Sequence, residues 1–490
     1  MDLINQRNIG GFWDFLRKAK SYVIWPLLVL GSVVIAYGTV KFGVGFGILI
    51  LLAFIGVPVL IYSIINLRFG VITLMIISFF LLRINRIAGS DYSLGILLDV
   101  FLVVMVIGLI VKKIQRKDFS WAKSPVSVIV WIWIVYNILE FFNPLASKQA
   151  WVFVIRSVAI LLIFYFIILE AINERKFLKL LLHVWIALSV IAGIYGLFQE
   201  FHGLLPSEKE WVMADEFRFK LIFNWGRYRI FSFLNDPTVY GILMSFSGLF
   251  CITLLTGPFN FMYKLIMAIC GGIMLLAMVY AGTRTAFAML PAGFAFYSLL
   301  TFQKKTIAFG LLVGLIGAGI IFSDIRSLGP LMSTNSLTRI RSTFRPSEDP
   351  SFQVRERSQE MIKPFIQSHP IGAGLGSVGI WGKRFNPNSE LAEFAPDSGY
   401  VRIAVELGWI GLFLYCAFFA TILIVGVHNY YLINDPELKA YMASIVAVVY
   451  AIAVGNYPQQ AIIQVPNILI FYALMAMIVK MKDLDVSNLK

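Results

Sequence analysis

The residues best suited to chemistry are arginines set against apolar segments. Arg227 and Arg229 precede Asp236-Pro237, which opens an apolar run. Arg284 sits in the short turn Gly282-Thr283-Arg284-Thr285 between two apolar runs. Arg355 and Arg357 lead a polar stretch that ends in His369-Pro370-Ile371-Gly372-Ala373-Gly374-Leu375-Gly376. Arg402 follows Pro396-Asp397-Ser398-Gly399-Tyr400-Val401 at the head of another apolar run. A guanidinium holds phosphate or carboxylate through paired N–H···O contacts, and at the edge of hydrocarbon it needs an anionic partner. These residues therefore point to the handling of a phosphate at a membrane surface. Glycine permits close backbone approach or positive φ, so the 372–376 turn could cradle a phosphate or a sugar. Asp397 stands at the water interface, where a carboxylate could act as base, and His369 is a second catalytic candidate.

Plain structural explanations cover part of this pattern. Asp236 and Pro237 read as an ordinary helix start, an N-cap followed by proline at the first helical position. Arg402 and Glu406 lie one helical turn apart and can neutralise each other. Salt bridges within a folded loop would absorb some of the other arginines, because the same stretches carry acidic residues. The glycine turn does not follow a strand, as a dinucleotide site would. Arg284 is different: its turn is so short that the charge must stand at the membrane surface or just inside it.

The elements that must position these residues are membrane helices. Of the 490 residues, 59% are hydrophobic and 14% charged, and the mean hydropathy is +0.81. A soluble chain of this length needs far more polar surface. Apolar runs begin near Tyr22, Phe42, Phe69, Leu94, Pro125, Trp151, Leu180, Pro237, Lys264, Thr285, Thr306, Tyr400, Ala440 and Pro466. Most reach roughly 17–22 residues, enough to cross about 30 Å of hydrocarbon; the run from Phe69 reads as short. The expectation is an all-α polytopic membrane protein of about fourteen transmembrane helices, with an uncleaved first span. Cys251, Cys270 and Cys416 fall inside apolar runs, and the chain has four histidines. Neither a disulfide framework nor a multi-histidine metal site is expected.

The formal net charge of +14 would suit nucleic acid, but the basic residues are scattered over short loops. They fit topology instead: both termini inside and basic loops held against anionic lipid. On that count the inner segments carry 5 Arg and 15 Lys, whereas the outer stretches 200–236, 281–285 and 324–402 carry 12 Arg and 4 Lys. Lysine suffices as an anchor, so the excess of arginine marks the outer face as the one that handles anions. The chain then divides into helices over 1–199, an outer loop at 200–236, helices with the Arg284 turn over 237–323, a large outer loop at 324–399 and the last helices over 400–490. The large loop is too long for a passive connector and contains a helical pattern over 352–368, so it reads as an ordered lid before the last three helices. No solenoid period or inverted symmetry is visible, and Arg156, in or near the sixth run, is the residue that best suits a transporter.

Taken in order, these pieces resemble the O-antigen ligase and polymerase superfamily, the Wzy-type membrane glycosyltransferases. Gly282-Thr283-Arg284-Thr285-Ala286 is similar to the family's arginine turn at the head of a helix. Arg355 to Gly376 resembles its arginine-led helix followed by Pro-x-x-Gly-x-Gly. Tyr400 to Gly411 resembles its Tyr-Leu…Glu-x-Gly-x-x-Gly helix, and Arg229 to Gly241 its Arg…Phe…Pro segment. The ligases often carry a His-Asn pair before the tyrosine helix; here Pro396-Asp397-Ser398-Gly399 stands in its place, which resembles the exopolysaccharide or O-antigen polymerases instead. The resemblance implies a GT-C-like enzyme of the bacterial cytoplasmic (inner) membrane, with its active site facing the periplasm. The implied donor is an undecaprenyl-pyrophosphate-linked glycan, and the implied acceptor another glycan or the lipid A core. No cofactor, metal or nucleic acid is implied. Arg227, Arg229, Arg284, Arg355, Arg357, Gly372, Gly374, Gly376, Tyr400 and Arg402 would bind substrate, with Asp397, His369 and Arg284 in catalysis. The rival readings are a lipid-linked oligosaccharide flippase or other transporter, and a protein O-oligosaccharyltransferase of the same superfamily.

Overall fold

Polar side chains at the heads of the apolar runs set where several helices begin. Ser124, Ser147, Asp236, Asn260, Ser398 and Asp435 each accept a backbone N–H of the first turn. Near hydrocarbon such a cap replaces water for the otherwise unpaired amides. The computed structural model describes residues 24–42, 56–87, 95–116, 123–224, 226–322 and 350–486. They fall into two compact units, Met1–Ile65 and Asn66–Lys490.

The first unit holds α1 (Ile24–Phe42) and α2 (Gly56–Ile65). The second begins with α3 (Leu67–Ile87), α4 (Gly95–Arg116), α5 (Pro125–Leu139), α6 (Lys148–Val158), α7 (Phe164–Ala171) and α8 (Arg175–His202). The short helices α9 (Pro206–Met213) and α10 (Glu216–Ile222) follow, then a two-stranded antiparallel hairpin. In it β1 (Phe223–Asn224) pairs with β2 (Arg227–Tyr228), Phe223 opposite Tyr228. Next come α11 (Pro237–Leu254), α12 (Phe261–Ala281), α13 (Arg284–Thr301), α14 (Lys304–Phe322), α15 (Pro350–Ser368), α16 (Gly379–Phe385), α17 (Gly399–Leu432), α18 (Pro436–Gly455) and α19 (Asn467–Val486).

Over their described residues the apolar runs are helical, with one break in the run near Trp151. Among those residues, nine candidate spans are long and apolar enough to cross a membrane by length and composition. They are α3, α4, α5 with its continuation to Phe142, the run from α6 to α7, α8, α11, α12, α17 and α18. The fold is thus that of an all-α polytopic membrane protein.

Two expectations are corrected. The run near Phe69 is not short: α3 has 21 residues. The run near Trp151 is not one continuous helix. It leaves helical geometry at Ala159 (φ −123°, ψ −46°), tightens into a 3-10 turn over Ile160–Ile163, and resumes as α7. Beside the break, the indole N–H of Trp133 donates to the carbonyl of Val158 at 3.2 Å.

The core is built around α11 and α18, which are largely buried. Close approach there needs small residues: a Cβ on Gly293 of α13 would lie 2.3 Å from Leu249 and 2.9 Å from Ala451. Between membrane helices such close van der Waals contact replaces the hydrophobic drive available in water.

Polar contacts gather at two ends of this unit. At one, Arg68 meets Glu174, Lys113 meets Glu170, Lys179 meets Glu437, and Arg175 meets Asp435 and Asp485. Burial pushes the Asp435 carboxyl up, but the amides of Leu438 and Glu437 and the Arg175 guanidinium outweigh it and hold the group below its usual value. At the other end, Arg83 meets Glu208, Asn143 reaches the carbonyl of Ile371, and Gly399 N–H meets the carbonyl of Asn456.

Candidate active site

The arginine-rich end contains a cleft of about 610 Å³. Asp99 enters it from α4, Arg156 and Ser157 from α6, and Asp215 and Arg218 from the 200–236 segment. Asp236 and Gln464 also line it. Arg156 Nη1 lies 2.9 Å from Asp99 Oδ2, so the charge noticed in the sixth run is paired. Asp215 and Asp236 are committed to helix starts, accepting the amides of Arg218 and Thr238 at 2.6 Å each. Arg218 stacks over Trp211, with 4.0 Å between the guanidinium carbon and the ring centroid. The cleft thus presents guanidinium groups, carboxylates and an aromatic face, a lining suited to a phosphorylated sugar.

A smaller cavity, about 70 Å³, shares Ser157 and Ile463 with this cleft. It is lined by Arg402, Glu406, Gln460, Asn456 and Tyr415, among others. Arg402 Nε lies 3.2 Å from Glu406 Oε1, and its Nη1 donates to Gln460 Oε1 at 2.9 Å. Gln460 in turn donates to the carbonyl of Pro396 at 2.6 Å. Glu406 is fully buried, while Arg402 keeps 13% of its side chain exposed. The pair predicted from helical spacing is therefore formed, with the cation as its exposed member.

The glycine turn acts on the same helix. Inside α17, Gly408 departs from helical geometry (φ 68°, ψ −174°) and kinks the span. A kink in hydrocarbon strands carbonyls that need new donors. Three are supplied: Ala373 N–H to Val405 O at 2.9 Å, Gly374 N–H to Glu406 O at 2.8 Å, and Tyr136 Oη to Leu407 O at 2.8 Å. In return, Ile410 N–H donates to Pro370 O at 3.2 Å. Gly372, Gly374 and Gly376 all have positive φ and are buried. A Cβ on Gly372 would lie 2.4 Å from the amide nitrogen of Gly408. The amides of Ala373 and Gly374 are thus engaged by the kinked span, and that of Gly376 faces the Glu406 carboxylate.

The other predicted residues are dispersed. Arg229 donates to the carbonyls of Ala281 (2.9 Å) and Leu221 (3.3 Å) and to Thr283 Oγ1 (3.1 Å), bracing the turn before Arg284. Arg227 is paired with Glu200. Arg284 is the half-buried first residue of α13. Arg355 lies in α15, and Arg357, on the same helix, is exposed. His369 Nδ1 is 3.0 Å from the carbonyl of Phe365, and the two rings stack at 4.0 Å. Asp397 is exposed, one residue before the cap Ser398. Tyr400 donates to the carbonyl of Ala453 at 3.0 Å and packs against Tyr415. The structure therefore joins Arg402 and the glycine turn, and joins Arg229 to the Arg284 turn. Asp99, Gln460 and Gln464 were missed by sequence reasoning. Asp99 had a usable signal, a lone carboxylate inside an apolar run; the two glutamines had none. Among the described residues no three His, Cys, Asp or Glu side chains gather as metal ligands would.

Residues 269–416 match the family model described as O-antigen ligase, Wzy_C. That stretch contains Arg284, Arg355, Arg357, the glycine turn, Asp397 and Arg402, so the superfamily predicted from the ordered motifs is the one found. No curated protein matches the chain.

Proposed function

We propose, from the premise that residues 269–416 are an O-antigen ligase domain in a polytopic membrane protein, that the chain transfers or polymerises glycan from a lipid-pyrophosphate donor. The observation that carries this reading is the family match over the segment that holds the arginine turn, the glycine turn and Arg402. The donor is an undecaprenyl-pyrophosphate-linked glycan. The acceptor hydroxyl attacks its reducing-end C1 and gives its proton to a base, for which Asp397 is the candidate, while the C1–O bond to phosphate breaks and the lipid pyrophosphate leaves with the electron pair. Charge then grows on the departing pyrophosphate, and guanidinium groups fixed at a low-dielectric boundary stabilise it. Arg284 at the head of α13 is assigned to that phosphate. Arg156 and Arg218 in the cleft are assigned to the glycan and its phosphate neighbour, and Arg402 to positioning. Arg227, Arg355 and Arg357 are further candidates on the donor side, and Asp397 and His369 on the acceptor side. The reaction is assigned to the outer face of a bacterial inner membrane and needs no metal.

The test is reconstitution of the full chain in vesicles with a lipid-linked repeat unit and no nucleotide sugar, with and without chelator. A ladder of products marks a polymerase, a single transfer to lipid A core a ligase, and a labelled polypeptide a protein glycosyltransferase. Absence of any transfer would sink the enzymatic reading. One observation favours a transporter: the span from α6 to α7 breaks next to the Arg156–Asp99 pair, as spans of carriers do at their sites. Movement of intact lipid-linked glycan across the same vesicles, without transfer, would establish that alternative.

A further inference from the structure

We infer that the lysine-rich end of the second unit holds a binding site for the phosphate of an anionic glycerophospholipid. A cleft of about 580 Å³ opens there, and none of its lining residues is among those assigned above. It is formed where α4, α5, α7, α17 and α19 converge, and Lys113, Lys123, Lys480 and Lys482 line it. Glu170 and Asp483 are the carboxylates in the same wall, and His428 is its remaining titratable group.

The ion pairs leave positive charge over. Glu170 is taken by Lys113 at 2.6 Å, with Lys112 at 3.9 Å, and Asp483 lies 3.7 Å from Lys480. Lys123 and Lys482 have no carboxylate partner among the described residues. Two unpaired ammonium groups in one cleft repel each other, and an anion between them removes that repulsion. The N-terminus of α5 opens on the same cleft through Ser124 and Pro125, adding the positive end of a 15-residue helix.

The depth of the site selects the anion. All five elements belong to apolar runs and end here, so the cleft stands where hydrocarbon meets water. Leu169, Val425 and Val479 supply apolar wall beside the lysines. A phosphodiester carrying acyl chains satisfies both parts, the phosphate against the lysines and the chains along the apolar wall. A choline headgroup would bring its own cation to a site already rich in them, so phosphatidylglycerol is favoured over phosphatidylcholine. Basic pockets between membrane helices take anionic headgroups for these reasons.

The experiment is native mass spectrometry of the full chain, released from nanodiscs of phosphatidylcholine with or without phosphatidylglycerol. The wild type should retain phosphatidylglycerol in preference to phosphatidylcholine. At about 1 kcal/mol for each lysine, Lys123→Gln with Lys482→Gln should weaken phosphatidylglycerol retention about 30-fold and leave phosphatidylcholine adducts unchanged. If the double variant does not fold, Lys123→Gln alone, at an exposed position, should weaken retention about fivefold. Equal retention of the two lipids by the wild type, or unchanged phosphatidylglycerol retention in the variant, overturns the site. So does displacement of the lipid by millimolar inorganic phosphate, which would make the cleft a site for free phosphate.

Discussion

Replacing Arg402 with glutamine should destabilise the protein far more than replacing Arg402 and Glu406 together. Glu406 is fully buried, and its ion pair to Arg402 spans 3.2 Å. Without the guanidinium, the glutamate is left without its partner in a low-dielectric interior, a loss that costs about 3–5 kcal/mol. Arg402 Nη1 also donates to Gln460 Oε1 at 2.9 Å, and loss of that hydrogen bond is worth about 1 kcal/mol of the total. Arg402→Gln with Glu406→Gln removes both charged groups and should cost only about 1–2 kcal/mol, because two neutral amides then face each other. The assay is reversible SDS unfolding in mixed micelles, read by tryptophan fluorescence. A single variant that loses less than about 1 kcal/mol would refute the reasoning, as would a double variant as damaged as the single one.

Arg284→Ala should abolish glycan transfer while the protein still inserts, and Arg284→Lys should recover only part of it, because lysine lacks the two-point fork; reconstituted vesicles with a lipid-linked repeat decide, and a wild-type rate in the alanine variant would remove Arg284 from the proposal. Gly408→Ala places a Cβ 2.0 Å from the carbonyl oxygen of Pro370 at φ +68°. It should cost about 3 kcal/mol or more in the same unfolding assay. Asp435→Ala removes the cap of α18 and the partner of Arg175. Because the Asp435 carboxyl is held below its usual value, its contribution is full above about pH 4 and lost as pH falls through the folded value. A loss of about 1 kcal/mol at pH 7 that shrinks at pH 3 is expected, and a gap that widens at low pH would contradict it.

Local signals carried much of the fold into the sequence. Apolar runs bounded by caps marked the helices, as at Asp236-Pro237, and helical spacing alone paired Arg402 with Glu406. The expected helix over 352–368 is the body of α15. What escaped prediction depends on partners distant in the chain. The break after Val158 falls in a run with no glycine or proline, and it coincides with a hydrogen bond from Trp133. Gly408 lies in an apolar run that reads as continuous helix, and the donors that answer its kink come from 373, 374 and 136. The cleft joins Asp99 to Arg156, 57 positions away, a pairing that neither local periodicity nor composition encodes.

The exchange of hydrogen bonds between the glycine turn and α17 has a consequence for how this part of the molecule opens. The turn cannot lift without stranding the carbonyls of Val405 and Glu406 in a poor solvent, and α17 cannot straighten while the turn holds them. The two segments therefore form one cooperative unit, whose amides should exchange with deuterium together although more than thirty positions separate them. Faster exchange at 373–374 than around 408–410 would show that they open separately. Any motion that carries the 370–376 turn away from α17 must then also move Arg402, six residues before the kink, so access and electrostatics at the smaller cavity change in a single step.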